Sequence, residues 1–126
     1  DNTPGTTSLE ATTTRSGGWL SICQKSLIGR IFGRSDDDII PLPESDFSRK
    51  FTMPGSDKVL AQELLGANIA GIIVRLEEFK KPFIDIDGKS VVVIIDGVLS
   101  SPSKEAELKK FLEIAEDIID AVVSFR

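Results

Sequence analysis

The sequence contains no histidine, no tyrosine and a single cysteine, Cys23. Without histidine there is no Ser/His/Asp or Cys/His nucleophile pair, no imidazole proton shuttle, and no histidine-ligated zinc or haem. With one thiol, neither an internal disulfide nor a multi-cysteine zinc or iron–sulfur site can be assembled within one chain. Cys23 stands between Ile22 and Gln24 and reads as a small buried hydrophobe rather than a nucleophile. No apolar run approaches the length that crosses a bilayer, and the first residues lack a charged-then-apolar signal pattern. Basic residues are outnumbered, 15 Lys and Arg against 20 Asp and Glu. The formal charge of −5 and pI near 4.7 argue against nucleic acid as a partner, because phosphate binding needs a surplus of Lys and Arg on one face.

What is present is ordinary for a folded chain: 40% apolar and 28% charged residues in 126, enough for one domain with its own core. Residues 1–7 hold Pro4, Gly5 and three threonines and read as a flexible N-terminal tail, leaving 8–126 as a single domain. The start on Asp1 and this polar string suggest a segment of a longer protein.

Along the chain, Thr12 to Thr14 favour extended backbone and Gly17-Gly18 offers a turn before Trp19, Leu20, Ile22 and Cys23, which predicts two strands meeting there. Residues 26–34 suit either a strand or a helix face, with strand preferred because Gly29 and Gly33 weaken a helix. Ile39, Ile40 and Leu42, set around Pro41 and Pro43, suit a short edge strand. Phe47, Phe51 and Met53 fall on alternate places from Asp46 to Pro54-Gly55, with Arg49 as the exception, which predicts a half-buried strand.

Ser56 or Asp57 then caps a helix with Val59, Leu60, Leu64 and Leu65 as its stripe, ending at Gly66. A second helical series follows Asn68 through Ile69, Ile72, Ile73, Leu76 and Phe79, either continuing the first or bending from it. Lys80-Lys81-Pro82 stops it. Asp87-Gly88 between Phe83–Ile86 and Val91–Ile95 predicts a type I′ hairpin, with the second strand central because it is apolar on both faces. From Pro102, the spacing of Leu108, Phe111, Leu112, Ala115, Ile118, Ile119, Val122 and Phe125 predicts a long terminal helix. The sum is an α+β domain: a mainly antiparallel sheet packed against a helix near 57–79 and a long C-terminal helix.

The string LIGRIFGR at 27–34, the proline-flanked IIPLP, and DFSRKFTMPGSDKVLAQELL resemble a family of uncharacterised bacterial and archaeal proteins. The family pattern is Phe-x3-Phe-x-Val-x3-Asp-x3-Ala-x2-Leu-Leu. Phe47, Phe51, Asp57, Ala61, Leu64 and Leu65 match it, and Met53 stands where valine is usual. Gly29, Gly33 and Arg34 resemble the glycine-rich strand that precedes it. The resemblance runs from Leu9 to the end. It implies a soluble domain that often follows one or two predicted transmembrane helices, hence a membrane-associated context through segments absent from this chain, and it implies no reaction and no cofactor.

Three groups carry candidate chemistry. Asp36, Asp37 and Asp38 suit a hard cation by residue type, yet consecutive acids diverge and the EF-hand spacing is missing, so a solvated turn is the simpler reading and no metal site is assigned. Asp85, Asp87 and Asp96 flank the hairpin and would serve a carboxylate-based or metal-dependent hydrolase only if they converged in one cleft. Trp19, Lys25, Arg30 and Arg34 form the candidate surface patch, for a phosphate, an anionic head group or an acidic partner. Glu113, Glu116, Asp117 and Asp120 lie off the apolar stripe of the terminal helix as its solvated face. The expectation is a non-enzymatic binding or interaction domain. The alternatives are the hydrolase and an oligomerisation scaffold, a homo-oligomer through the terminal helix where Val123 and Phe125 widen its stripe.

Overall fold

Five strands form one sheet in the order β1-β5-β4-β2-β3, every neighbour antiparallel. The computed structural model describes residues 5–12, 18–24, 40, 44–56, 58–66, 69–97 and 102–124. The strands are β1 (Thr6–Thr12), β2 (Leu20–Gln24), β3 (Phe51–Thr52), β4 (Lys80–Ile86) and β5 (Ser90–Asp96). Helices α1 (Asp46–Lys50), α2 (Lys58–Gly66) and α3 (Ile69–Val74) precede β4, and α4 (Glu105–Ser124) ends the chain. The α+β reading, with a long C-terminal helix on an antiparallel sheet, is the fold observed.

Period-two alternation decides which side of the sheet is buried. Register places Leu9 beside Val93, Val93 beside Ile84, and Ile84 beside Ile22, while Val91, Ile86 and Leu20 make the next row. All of these except the half-buried Leu9 are buried, and with them lie Phe111, Ile114, Ala115, Ile118 and Val122 of α4, Leu60 and Leu64 of α2, and Ile73 of α3. The helices therefore cover one face, with α4 lying across β1 and β5. Phe79, just before β4, meets Phe111 of α4 edge to face at 5.8 Å.

Several local expectations change. β1 and β2 exist, but they do not pair with each other: β1 joins β5 and β2 joins β4. Alternation marks a strand without naming its partner, and the doubly apolar β5, expected at the centre, lies inside the sheet between β1 and β4 while β4 holds the middle place. β1 also starts at Thr6, inside the stretch read as a tail, and is held there by Gly97 N–H donating to Gly5 O and Thr7 Oγ1 donating to Gly97 O.

The strand expected from Asp46 to Met53 is mostly the helix α1, with only Phe51–Thr52 extended. A spacing of four fits both periods, and the tie is broken by a capping box in which Ser45 Oγ accepts from Ser48 N–H while Ser48 Oγ takes the Ser45 N–H. Phe47 and Phe51 then stack at 5.4 Å.

The helical stretch near 57–79 is bent, its two halves crossing at 85°, and a 3-10 turn over Arg75–Glu78 completes it. Val59 leaves the predicted stripe at 65% exposure, and Ala61 takes its place in the core. Lys80-Lys81-Pro82 does end the helix and also begins β4, where one extra residue between Lys80 and Phe83 makes a bulge. The hairpin forms at Asp87-Gly88, but not as type I′: among the described residues positive φ occurs only at Lys81 and Gly97. Asp87 Oδ1 instead accepts from the Lys89 and Ser90 N–H groups, an Asx turn that needs no left-handed residue. Residues 26–34 lie outside the described set. Of the proline-flanked segment only Ile40 is inside it, buried, with its N–H on Met53 O.

Candidate functional site

Trp19 enters β2 from a tight crossing with the segment after β3. Its backbone N–H donates to Ser56 Oγ at 3.1 Å and its carbonyl accepts the Ser56 N–H at 2.8 Å. Gly55 makes that approach possible, since a Cβ there would sit 2.6 Å from Trp19 O and 2.8 Å from Leu20 Cα. Trp19 is half-buried. Lys25, Arg30 and Arg34, with which it was expected to form a patch, lie outside the described residues, as do Asp36, Asp37, Asp38 and Asp57.

The hairpin acids occupy different places. Asp85 sits in the middle of β4 opposite Val92, where Ser21 Oγ donates to its Oδ1 at 2.9 Å. Asp96 ends β5, four residues beyond Val92 and so roughly 13 Å further along the strand by strand rise. Paired glycosidase carboxylates stand about 5 to 9.5 Å apart, so Asp85 and Asp96 do not make such a pair. Asp96 instead faces Lys81 Nζ at 3.7 Å. Asp87 is committed to its turn, and the two backbone N–H bonds hold its carboxyl below the usual aspartate range. Among the described residues no group of three potential metal ligands converges.

Cys23 lies fully buried on β2, and burial pushes its thiol up to about 11. Such a group is protonated at neutral pH and is no nucleophile.

Two grooves mark the described surface. One, of about 370 Å3, runs between α1 and α3 and is lined by Ser45, Asp46, Phe47, Ala70, Gly71 and Val74. The other, of about 410 Å3, lies along α4 over Leu108 and Leu112, with Glu105, Lys109, Glu113 and Glu116 at its margins. Both leucines are half-buried. They sit at the edge of the apolar stripe that faces the core, which is why one flank of the helix stays accessible.

The acids on α4 continue past this groove. Glu113, Glu116, Asp117 and Asp120 are all exposed, include two pairs one turn apart (Glu113 with Asp117, Glu116 with Asp120), and form no ion pair among the described residues. Elsewhere the surface acids do find cations: Glu77 meets Lys50 at 2.9 Å and Glu78 meets Lys110 at 3.0 Å. The spacing of the α4 acids was visible in the sequence; the groove beside them was not, because it depends on how far α4 rolls onto the sheet.

Among the described residues no single helix is long and apolar enough to cross a membrane. Comparison with protein-family models, with curated proteins and with solved structures finds no match.

Proposed function

We propose that this chain is a non-enzymatic protein-interaction domain of a membrane-associated protein, and that the outer flank of α4 receives a basic, amphipathic segment of its partner. The observation that carries the reading is the α4 groove: two accessible leucines bordered by Glu105, Glu113, Glu116 and Lys109, and continued by Asp117 and Asp120, which like Glu113 and Glu116 form no ion pair among the described residues. Leucine-lined grooves take the apolar side of an amphipathic segment, and unpaired carboxylates favour Lys and Arg on its other side. The membrane association is supplied by flanking segments, as the resemblance of the 47–65 motif implies. The positions of Asp85, Asp87 and Asp96 favour this reading over the hydrolase.

The test is a titration of the 126-residue chain with a fluorescent Lys/Leu amphipathic peptide and with its Glu/Leu counterpart. The basic peptide should bind and the acidic one should not. Raising salt from about 50 to about 200 mM should weaken the complex several-fold by screening. The E113K/E116K variant should weaken it at least as much. Equal binding of both peptides, or binding indifferent to E113K/E116K, would remove the α4 flank as the site.

A further inference from the structure

We infer that β1 is a self-association edge, along which two copies of the chain pair about a two-fold axis through Leu9 to make one ten-stranded sheet. The two edges of this sheet are treated differently. β3, at one side, is two residues long and runs into the buried Pro54, so it offers little to a further strand. β1, at the other, is seven residues long and pairs with β5 in unbroken register from Thr6↔Asp96 to Thr12↔Ser90. It has no proline, no lysine, no arginine and no bulge, the devices that normally blunt an edge, and its only charge is Glu10. From Ser8 to Thr12 its outer side meets no other segment among the described residues.

The residue pattern selects the occupant and the register. Antiparallel pairing centred on Leu9 brings Ser8 opposite Glu10 of the second copy, Glu10 opposite Ser8, and Leu9 opposite Leu9. Serine hydroxyl meets carboxylate twice, and apolar side chain meets apolar side chain at the axis. Centring one residue further along would oppose two Glu10 carboxylates. Centring one residue earlier would put Leu9 opposite a threonine and shorten the pairing. Leu9 and Ala11 are half-buried on the helix-covered side, so a second copy completes a core row that stops short at this edge. Because α4 lies across β1 and β5, both copies of α4 come to the same side of the joined sheet.

The test is sedimentation velocity on the full chain, with S8E, S8K, S8E/E10K and a control, Q62E. Ser8, Glu10 and Gln62 are all exposed, so these changes leave the core intact. The expected mass is twice 13.7 kDa. S8E sets a carboxylate opposite Glu10 at two symmetric contacts and should raise Kd by about tenfold. S8K should lower Kd, and S8E/E10K should restore the pairing by opposing unlike charges. Q62E, the same added charge away from the edge, should leave Kd unchanged. Each copy carries −5, so association should tighten with salt. A strict monomer, or a dimer indifferent to S8E and S8K, overturns the inference. The peptide titration on α4 has the opposite salt response, so either result can fail without the other.

Discussion

Gly55 is the residue whose side chain, or lack of one, fixes how Trp19 enters the sheet. The two nearest obstacles to a Cβ there are backbone atoms, at 2.6 and 2.8 Å, and backbone within a sheet cannot move aside cheaply. G55A should therefore cost about 1–3 kcal/mol as an overpacking change. Trp19 is the only tryptophan, so denaturation followed by its emission reads both the stability loss and any loosening of its surroundings. A neutral G55A would mean that the crossing has slack. Cys23 makes a different kind of residue-scale prediction. The folded chain holds the thiol proton up to about 11, while the unfolded chain releases it at the ordinary thiol value near 8.5. The stability this contributes is intact below that lower value and is lost as pH rises toward 11, by up to about 3 kcal/mol. Urea midpoints measured from neutral to alkaline pH should fall across that window, and C23A should flatten the fall. An unchanged alkaline limb in C23A would show that other groups set it.

At the scale of elements, α1 shows why part of the fold could not be read from the sequence. Phe47 and Phe51 are separated by four, which a strand face and a helix face accommodate equally, and the deciding signal was Ser45 with Ser48 three residues later. A serine at the third helical position substitutes for the usual Glu or Gln of a capping box. S45A should destabilise the protein by about 1 kcal/mol, and S48A should add little to it, because the two hydroxyls complete one reciprocal arrangement. Fully additive losses in a thermal denaturation cycle would show that the box is not a unit. The bulge at the start of β4 is a second case. Lys81 has φ of 50°, a left-handed conformation disfavoured for a residue with a Cβ, and its ion pair with Asp96 is long at 3.7 Å, partly exposed, and contributes little. K81G should raise stability by about 0.5–1 kcal/mol, after the extra chain entropy of glycine is set against relief at φ > 0. A loss on K81G would mean that the lysine side chain holds the bulge. The terminal helix and the β4–β5 hairpin, by contrast, were legible because long, strict periodicity and Asp-Gly punctuation have few alternative readings. Strand partners were not legible, since alternation says which side of a strand is buried and nothing about what lies beside it.

At the scale of the whole molecule, charge is placed where it does not help the fold. The formal charge is −5, and the second half of α4 carries Glu113, Glu116, Asp117 and Asp120 with no Lys or Arg as far as Ser124. Glu113 and Asp117, and likewise Glu116 and Asp120, stand one turn apart and repel, and Asp120 lies near the helix C-terminus, where the macrodipole disfavours acid. The candidate patch around Trp19 was found from residue types, whereas this face acquires meaning only once the fold has set a groove against it. D117K/D120K turns both repulsive pairs into Glu-to-Lys pairs of the favourable orientation and matches the dipole, so the variant should gain about 1–2 kcal/mol in thermal denaturation. The same change removes acid from beside the groove, and the basic peptide should bind it several-fold more weakly. A variant that gains stability while losing affinity locates the function of the α4 acids in binding, since the fold alone is better without them. A variant that gains stability and binds as before separates these acids from the site, and leaves the groove over Leu108 and Leu112 to act through Glu105, Glu113 and Glu116.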